Sequence, residues 1–222
     1  MTFPETRHSA VRGLSDADAE LRRQSYETVV AAYWNPVHAY LRLRWNVPDE
    51  PAKDLTQSFF ATAMEKETLT RYDPTKATFR TYLRACLDGF VLNSRKHDTR
   101  LKRAGDTTAL PLDFEIVGSG DPDELFHREW VRRVFELAID EIRGRELPFQ
   151  VFEAYDLAQE EPRPSYDALA ARFGITTVTV TNYLAAMRRD LRKAVIAKLR
   201  ELTATEREFR SEAKALLGIE PS

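Results

Sequence analysis

Cysteine is almost absent from this chain of 222 residues: Cys86 stands alone. No disulfide and no cysteine-rich zinc site can form within it, and a reducing cytoplasm is the expected setting. Long apolar runs are missing too. No stretch approaches the ~18 apolar residues of a membrane span, and the opening residues lack the pattern of a signal peptide, so no membrane partner is expected. Neither sign of charge dominates. Against 33 basic residues stand 35 acidic ones, for a net charge of −2. A protein that coats DNA without regard to sequence would be more basic, so any nucleic-acid contact has to come from local patches. His8, His38, His97 and His127 are dispersed, with no glycine-rich phosphate loop and no nucleophile–base pair. The reading is a non-enzyme without cofactor or metal. No segment alternates with the period of a strand. At 43% hydrophobic and 31% charged the chain is globular, and its periodicity is helical, so the expected class is all-α.

The richest stretch is SYDALAARFGITTVTVTNYLAAMRRDLRK, residues 165–193. Tyr166, Leu169, Ala170 and Phe173 form one apolar stripe at helical spacing. Gly174 follows, where a left-handed turn between two helices needs it. A second stripe runs Val180, Leu184, Met187, Leu191. Its opposite face carries Thr177, Thr179, Thr181, Asn182, Arg188 and Arg189, with Arg192 beyond. Short hydrogen-bonding side chains at the start of a second helix suit base reading in the major groove, and the arginines that follow suit phosphates. The pattern predicts a helix-turn-helix; the plain alternative is an αα-hairpin with a solvated charged face.

The rest divides into two helical domains. Residues 16–103 form the first. Val30, Tyr33, Trp34, Val37 and Leu41 make one helix face, which Asn35-Pro36 is expected to kink or restart. A second helix buries Ala52, Leu55, Thr56, Phe59, Phe60 and Ala63; a third buries Phe79, Tyr82, Leu83, Cys86, Leu87 and Phe90. Residues 104–123, broken by glycine and proline and rich in acids, read as a flexible linker. Residues 124–202 form the second domain, entered by a helix with Leu125, Val131, Phe135 and Ile139 inside and ending in the helix-turn-helix. Residues 203–222 are a short charged helical tail. Two basic patches stand out. Between 93 and 103, Arg95, Lys96, Arg100, Lys102 and Arg103 oppose Asp98; between 188 and 200, six basic residues oppose Asp190. One patch per domain fits two contacts on one nucleic acid.

Three boxes in this order, KDLTQSFF at 53–60, FRTYLRA at 79–85 and the helix-turn-helix, resemble a bacterial RNA polymerase sigma factor. The similarity is to the extracytoplasmic-function type of the sigma-70 family and covers most of residues 25–200. The resemblance implies two helical domains on a flexible linker, with core RNA polymerase and promoter DNA as partners. Asp54 and Gln57 match the family's polymerase-binding motif, and Ser58 falls on the same expected polymerase-binding face. The loop 72–78 and the helix after it match the part that opens the minus-ten element, which assigns Tyr72, Arg80, Tyr82, Arg84, Arg95 and Lys96 to the displaced strand; aromatics beside basic residues suit an unstacked strand. The helix-turn-helix matches the minus-thirty-five reader.

The chain also departs from the family. Lys53 and Ser58 stand where acids are usual, Gly89 where an asparagine is common, and Asp88 where a basic residue is common. A phosphate on Ser58, or on Thr56 if that turn frays, would add roughly −1.5 to −2 charges and restore the missing acidity. A Ser/Thr kinase is then a candidate partner; the plain alternative is that these are ordinary helix-surface and core residues and that the neighbouring acids Asp49 and Glu50 suffice. An anti-sigma factor is the other candidate for control. Two other readings remain: a DNA-binding repressor or activator that works without polymerase, and a polymerase-binding protein that does not melt promoters.

Overall fold

A computed structural model describes residues 9–103, 121–158 and 162–218, with side chains described to residue 96 in the first of these segments. Among the described residues the chain is all-α. Nine α-helices follow one another: α1 (Ala10–Gly13), α2 (Ala19–Arg44), α3 (Asp49–Glu65), α4 (Phe79–Arg103), α5 (Pro122–Ile142), α6 (Glu146–Phe152), α7 (Tyr166–Phe173), α8 (Thr177–Leu202) and α9 (Glu206–Leu217). No described helix is long and apolar enough to cross a membrane. Of the expected linker, 104–120 lie outside the described residues; 122 and 123 already belong to α5.

Local chemistry explains the helix ends. Asp18 caps α2 by accepting from the amides of Glu20 (2.8 Å) and Leu21 (3.2 Å). Ser165 caps α7 by accepting from Ala168 N–H at 3.1 Å. Gly174 closes α7 at φ 66°, in the left-handed region that costs a side-chain-bearing residue more. Asp49 and Glu50 place negative charge at the start of α3, where the helix dipole favours it. Pro36 does not restart α2, which runs through it unbroken. Its missing N–H leaves the Ala32 carbonyl, one turn earlier, without its usual donor; the Ala31 carbonyl beside it accepts from Arg133 Nε at 3.1 Å.

Two compact units result. The first comprises residues 1–133 and 200–212, the second 134–199 with 213–222. The first is centred on Tyr33, 1% exposed, whose ring meets Phe79 edge-on at 5.5 Å and stacks near Phe126 and Trp130 at 6.4 and 6.5 Å. The expected boundary at residue 124 therefore moves. The first half of α5 faces this core through Phe126 and Trp130, so its buried stripe is Phe126, Trp130, Val134, Ala138; Leu125, Val131, Phe135 and Ile139 are only half-buried. The first part of the expected tail, 203–212, also belongs here. Phe209 is 2% exposed, Ser9 donates to the Thr203 carbonyl at 2.7 Å, and Arg12 donates to that of Ala204. The core of the second unit gathers Phe149, Val151 and Phe152 of α6, Leu169 and Ala170 of α7, and Val180, Leu184 and Met187 of α8.

Candidate nucleic-acid interface and partner face

In the second unit, the first turn of α8 is set by two threonines. Thr176 accepts from Thr179 N–H at 3.1 Å, and their hydroxyl oxygens lie 2.9 Å apart. Thr179 is thus occupied in the cap and half-buried rather than aimed outward. Thr177, also half-buried, lies to the side of the exposed face. At 100° per residue the exposed positions Val178, Thr181, Asn182, Ala185, Arg189 and Arg192 fall on one stripe. That stripe carries no acid. Thr181 donates to the Thr177 carbonyl at 3.0 Å, which leaves its oxygen free to accept. Arg189 and Arg192 form no ion pair among the described residues. Arg188 behaves differently. It holds Asp156 with two hydrogen bonds of 2.8 and 2.9 Å, and its guanidinium lies 5.7 Å from the Tyr155 ring centre. This pair ties α8 to the π-helical turn after α6, so Arg188 is a positioning residue and not an open phosphate contact. Asp190 is likewise taken, by Arg145 at 3.1 Å.

In the first unit, α3 sorts its two faces cleanly. Ala52, Leu55, Thr56, Phe59, Phe60 and Ala63 are buried, while Asp54, Gln57 and Ser58 are exposed together on the other side. Thr56 is fully buried and donates to the Ala52 carbonyl at 2.7 Å, so in the folded chain its hydroxyl is closed to a modifying enzyme. Lys53 is neutralised within its own turn by Asp49 (2.8 Å) and Glu50 (2.6 Å). Asp49 also serves Arg42 at 3.1 Å. Asp54 makes no ion pair among the described residues and stays open on this face.

The residues expected to hold a displaced strand are already engaged. Tyr72 donates to the Ala77 carbonyl at 3.0 Å, and Tyr82 to that of Thr68 at 2.7 Å. Arg84 pairs with Asp88 at 2.7 Å and with Asp123. Asp88 further accepts from Tyr40 at 3.1 Å and from Trp45 Nε1 at 3.0 Å. The acid that departs from the family pattern is thus a structural hub. Gly89 has open space where a side chain would go. Arg95 lies 5.2 Å from the Trp45 ring centre, and Lys96 is exposed.

Arg80 is the most deeply committed. It pairs with Glu212 of α9 at 2.9 Å, with side chains 15% and 9% exposed, and lies 4.8 Å from the Trp130 ring centre. Glu208, one turn earlier on α9, accepts from Phe79 N–H at 3.3 Å and from Ala204 N–H at 3.0 Å. Burial raises the Glu208 carboxyl above its ordinary pKa. Burial, and secondly the Arg80 charge, lower His127 below its ordinary value. Beside this cluster the loop 74–78 and the start of α9 enclose a cleft of about 350 Å³, lined by Thr75, Lys76, Thr78, Thr205, Arg207 and Ser211 among others.

Periodicity located the faces of α3 and α8 but missed the partners: Asp156 for Arg188, and Glu208 with Glu212 for the start of α4. For α9 there was a signal. Glu208 and Glu212 are four apart with Phe209 beside them, a helix with an apolar anchor and two acids on adjoining positions. No such signal marked Asp156. No protein-family model matches this chain, and no curated protein matches it either.

Proposed function

We propose that this chain is a transcription initiation factor of the sigma type, working where RNA polymerase works, in the cytoplasm. It binds core RNA polymerase through the exposed face of α3 and directs the enzyme to promoter DNA through α8. The observation that carries the reading is the acid-free stripe of Thr181, Asn182, Arg189 and Arg192 on α8, opposite the side that closes the core of its unit. The helix pair α7 and α8 is read as a helix-turn-helix, with its turn at Gly174 in the left-handed conformation that such a turn uses. Polar side chains at the start of a helix, followed by arginines that form no ion pair among the described residues, are what base edges and then phosphates require. Asp54, Gln57 and Ser58 supply a separate polar face for a basic partner surface.

Capture of core polymerase by the purified chain, followed by run-off transcription from selected promoter fragments, tests the proposal. A repressor or activator acting on duplex DNA alone fails the capture step. A second reading has a specific observation in its favour. Because Tyr72, Arg80, Tyr82 and Arg84 are all held by internal partners, the chain would bind polymerase and promoter without melting it. That protein passes the capture step, yields no run-off product and leaves promoter thymines unreactive to permanganate.

A further inference from the structure

We infer that Val178 reads the 5-methyl group of a thymine in the recognised element, which makes it a specificity-determining residue alongside Asn182. The inference rests on the DNA-reading role proposed for α8. Val178 is 67% exposed, the highest among the exposed large hydrophobic residues described, the others lying between 43% and 55%. It takes no part in the core cluster of its unit. A β-branched apolar side chain in the first turn of a helix gains nothing from water and slightly disfavours the helix. Here it stands one turn before Thr181 and Asn182 and on the same stripe. In the major groove, the thymine methyl is the one apolar feature that separates T from the other bases, and small apolar side chains are its natural contacts.

The neighbours fix the occupant as duplex DNA. Arg189 and Arg192 continue the stripe toward the C-terminal end with no acid among them, which complements the phosphates flanking a groove. Thr181 and Asn182, between them and Val178, offer the hydrogen-bonding groups that base edges require. Ala185, exposed midway along the stripe, keeps that turn slim and lets α8 lie close to the groove floor. The spacing also predicts where the thymine lies. Residues four apart rise about 6 Å along a helix, while stacked base pairs are about 3.4 Å apart along each strand. The thymine read by Val178 therefore sits within one or two base pairs of the base read by Asn182.

The test uses the full chain with core polymerase and duplexes selected from a random library. Each thymine of the enriched element is replaced singly by deoxyuridine, which removes only the methyl group. With the native chain, one replacement within two base pairs of the Asn182-dependent position lowers affinity about three- to tenfold, the scale of one buried methyl group up to a full base contact. Val178→Ala shows the same loss on the thymine duplex and no further loss on the deoxyuridine duplex. Asn182→Ala keeps the deoxyuridine effect. Circular dichroism of Val178→Ala matches the native chain, since the side chain is 67% exposed and lies outside the core cluster. If an element is enriched but no deoxyuridine replacement weakens the native chain, or if Val178→Ala stays sensitive to it, the role of Val178 is refuted while the reading of α8 stands. If no element is enriched, both are refuted.

Discussion

Removing the Glu212 carboxylate should unfold the first unit far more readily than the size of the change implies. In Glu212→Ala, Arg80 keeps its charge, its low exposure of 15% and its place near Trp130, but loses the carboxylate at 2.9 Å. Breaking one half of a buried pair costs about 3–5 kcal/mol, because the remaining charge is left uncompensated. Contact with the Trp130 face is present in both proteins and offsets nothing, so a loss of about 3 kcal/mol is expected at the least. Removing both charges in Arg80→Met with Glu212→Leu should cost about 1 kcal/mol or less, since the desolvation penalty of both ions disappears as well. Tryptophan fluorescence during urea unfolding is the right assay. The three tryptophans, Trp34, Trp45 and Trp130, all belong to the first unit and report on it alone. At a slope of about 2 kcal/mol/M, the single variant should unfold about 1.5 M earlier. A single variant within about 0.5 M of the native midpoint, or a double variant as fragile as the single, would refute the view of α9 as an electrostatic clamp on α4.

Three further outcomes are expected. Arg189→Ala should weaken all duplexes alike and reduce the salt slope of binding by about one, whereas Arg188→Ala, through loss of Asp156, should lower the melting temperature of the second unit and leave that slope unchanged; equal slopes for both variants would contradict the distinction. His127, with its pKa lowered, binds a proton less readily folded than unfolded, so its contribution is intact above about pH 6.5 and lost as pH falls through that value toward the lowered one; buried Glu208, with its pKa raised, acts in the opposite sense as acid is added, so comparison with His127→Gln in the same fluorescence assay isolates the histidine, and identical pH profiles would dismiss it. Ser58→Glu should bind core polymerase more tightly than Ser58→Ala by severalfold if added charge on the α3 face matters; equal affinities, with no phosphate on the native protein, would end the idea of a phosphorylation switch.

How much was legible in the sequence depends on what each inference needed. The α3 prediction needed only period, and its six buried residues match the expected set. Gly174 needed only backbone chemistry, and it sits at the left-handed turn foreseen for it. The α5 stripe failed because that helix is apolar around much of its circumference; the choice of Phe126 and Trp130 over Leu125 and Val131 was made by Tyr33, a residue distant in sequence. The charged residues were least legible. Arg80, Arg84 and Arg188 look alike in a sequence as free cations, yet each has a carboxylate supplied by the fold. Periodicity says which way a side chain points and nothing about who meets it there.

The order of residues in the first unit also sets a timetable. Its segment 200–212 is synthesised only after the whole of 134–199. At about 5–20 residues per second, roughly 4–16 seconds separate Arg133 from Glu212 on the ribosome. During that interval the seat of Phe209 lies bare and Arg80 has no carboxylate. The nascent chain thus carries a sticky, half-charged surface for seconds, open to chaperones and to neighbouring chains. A stop codon just before Glu206 would make that transient condition permanent.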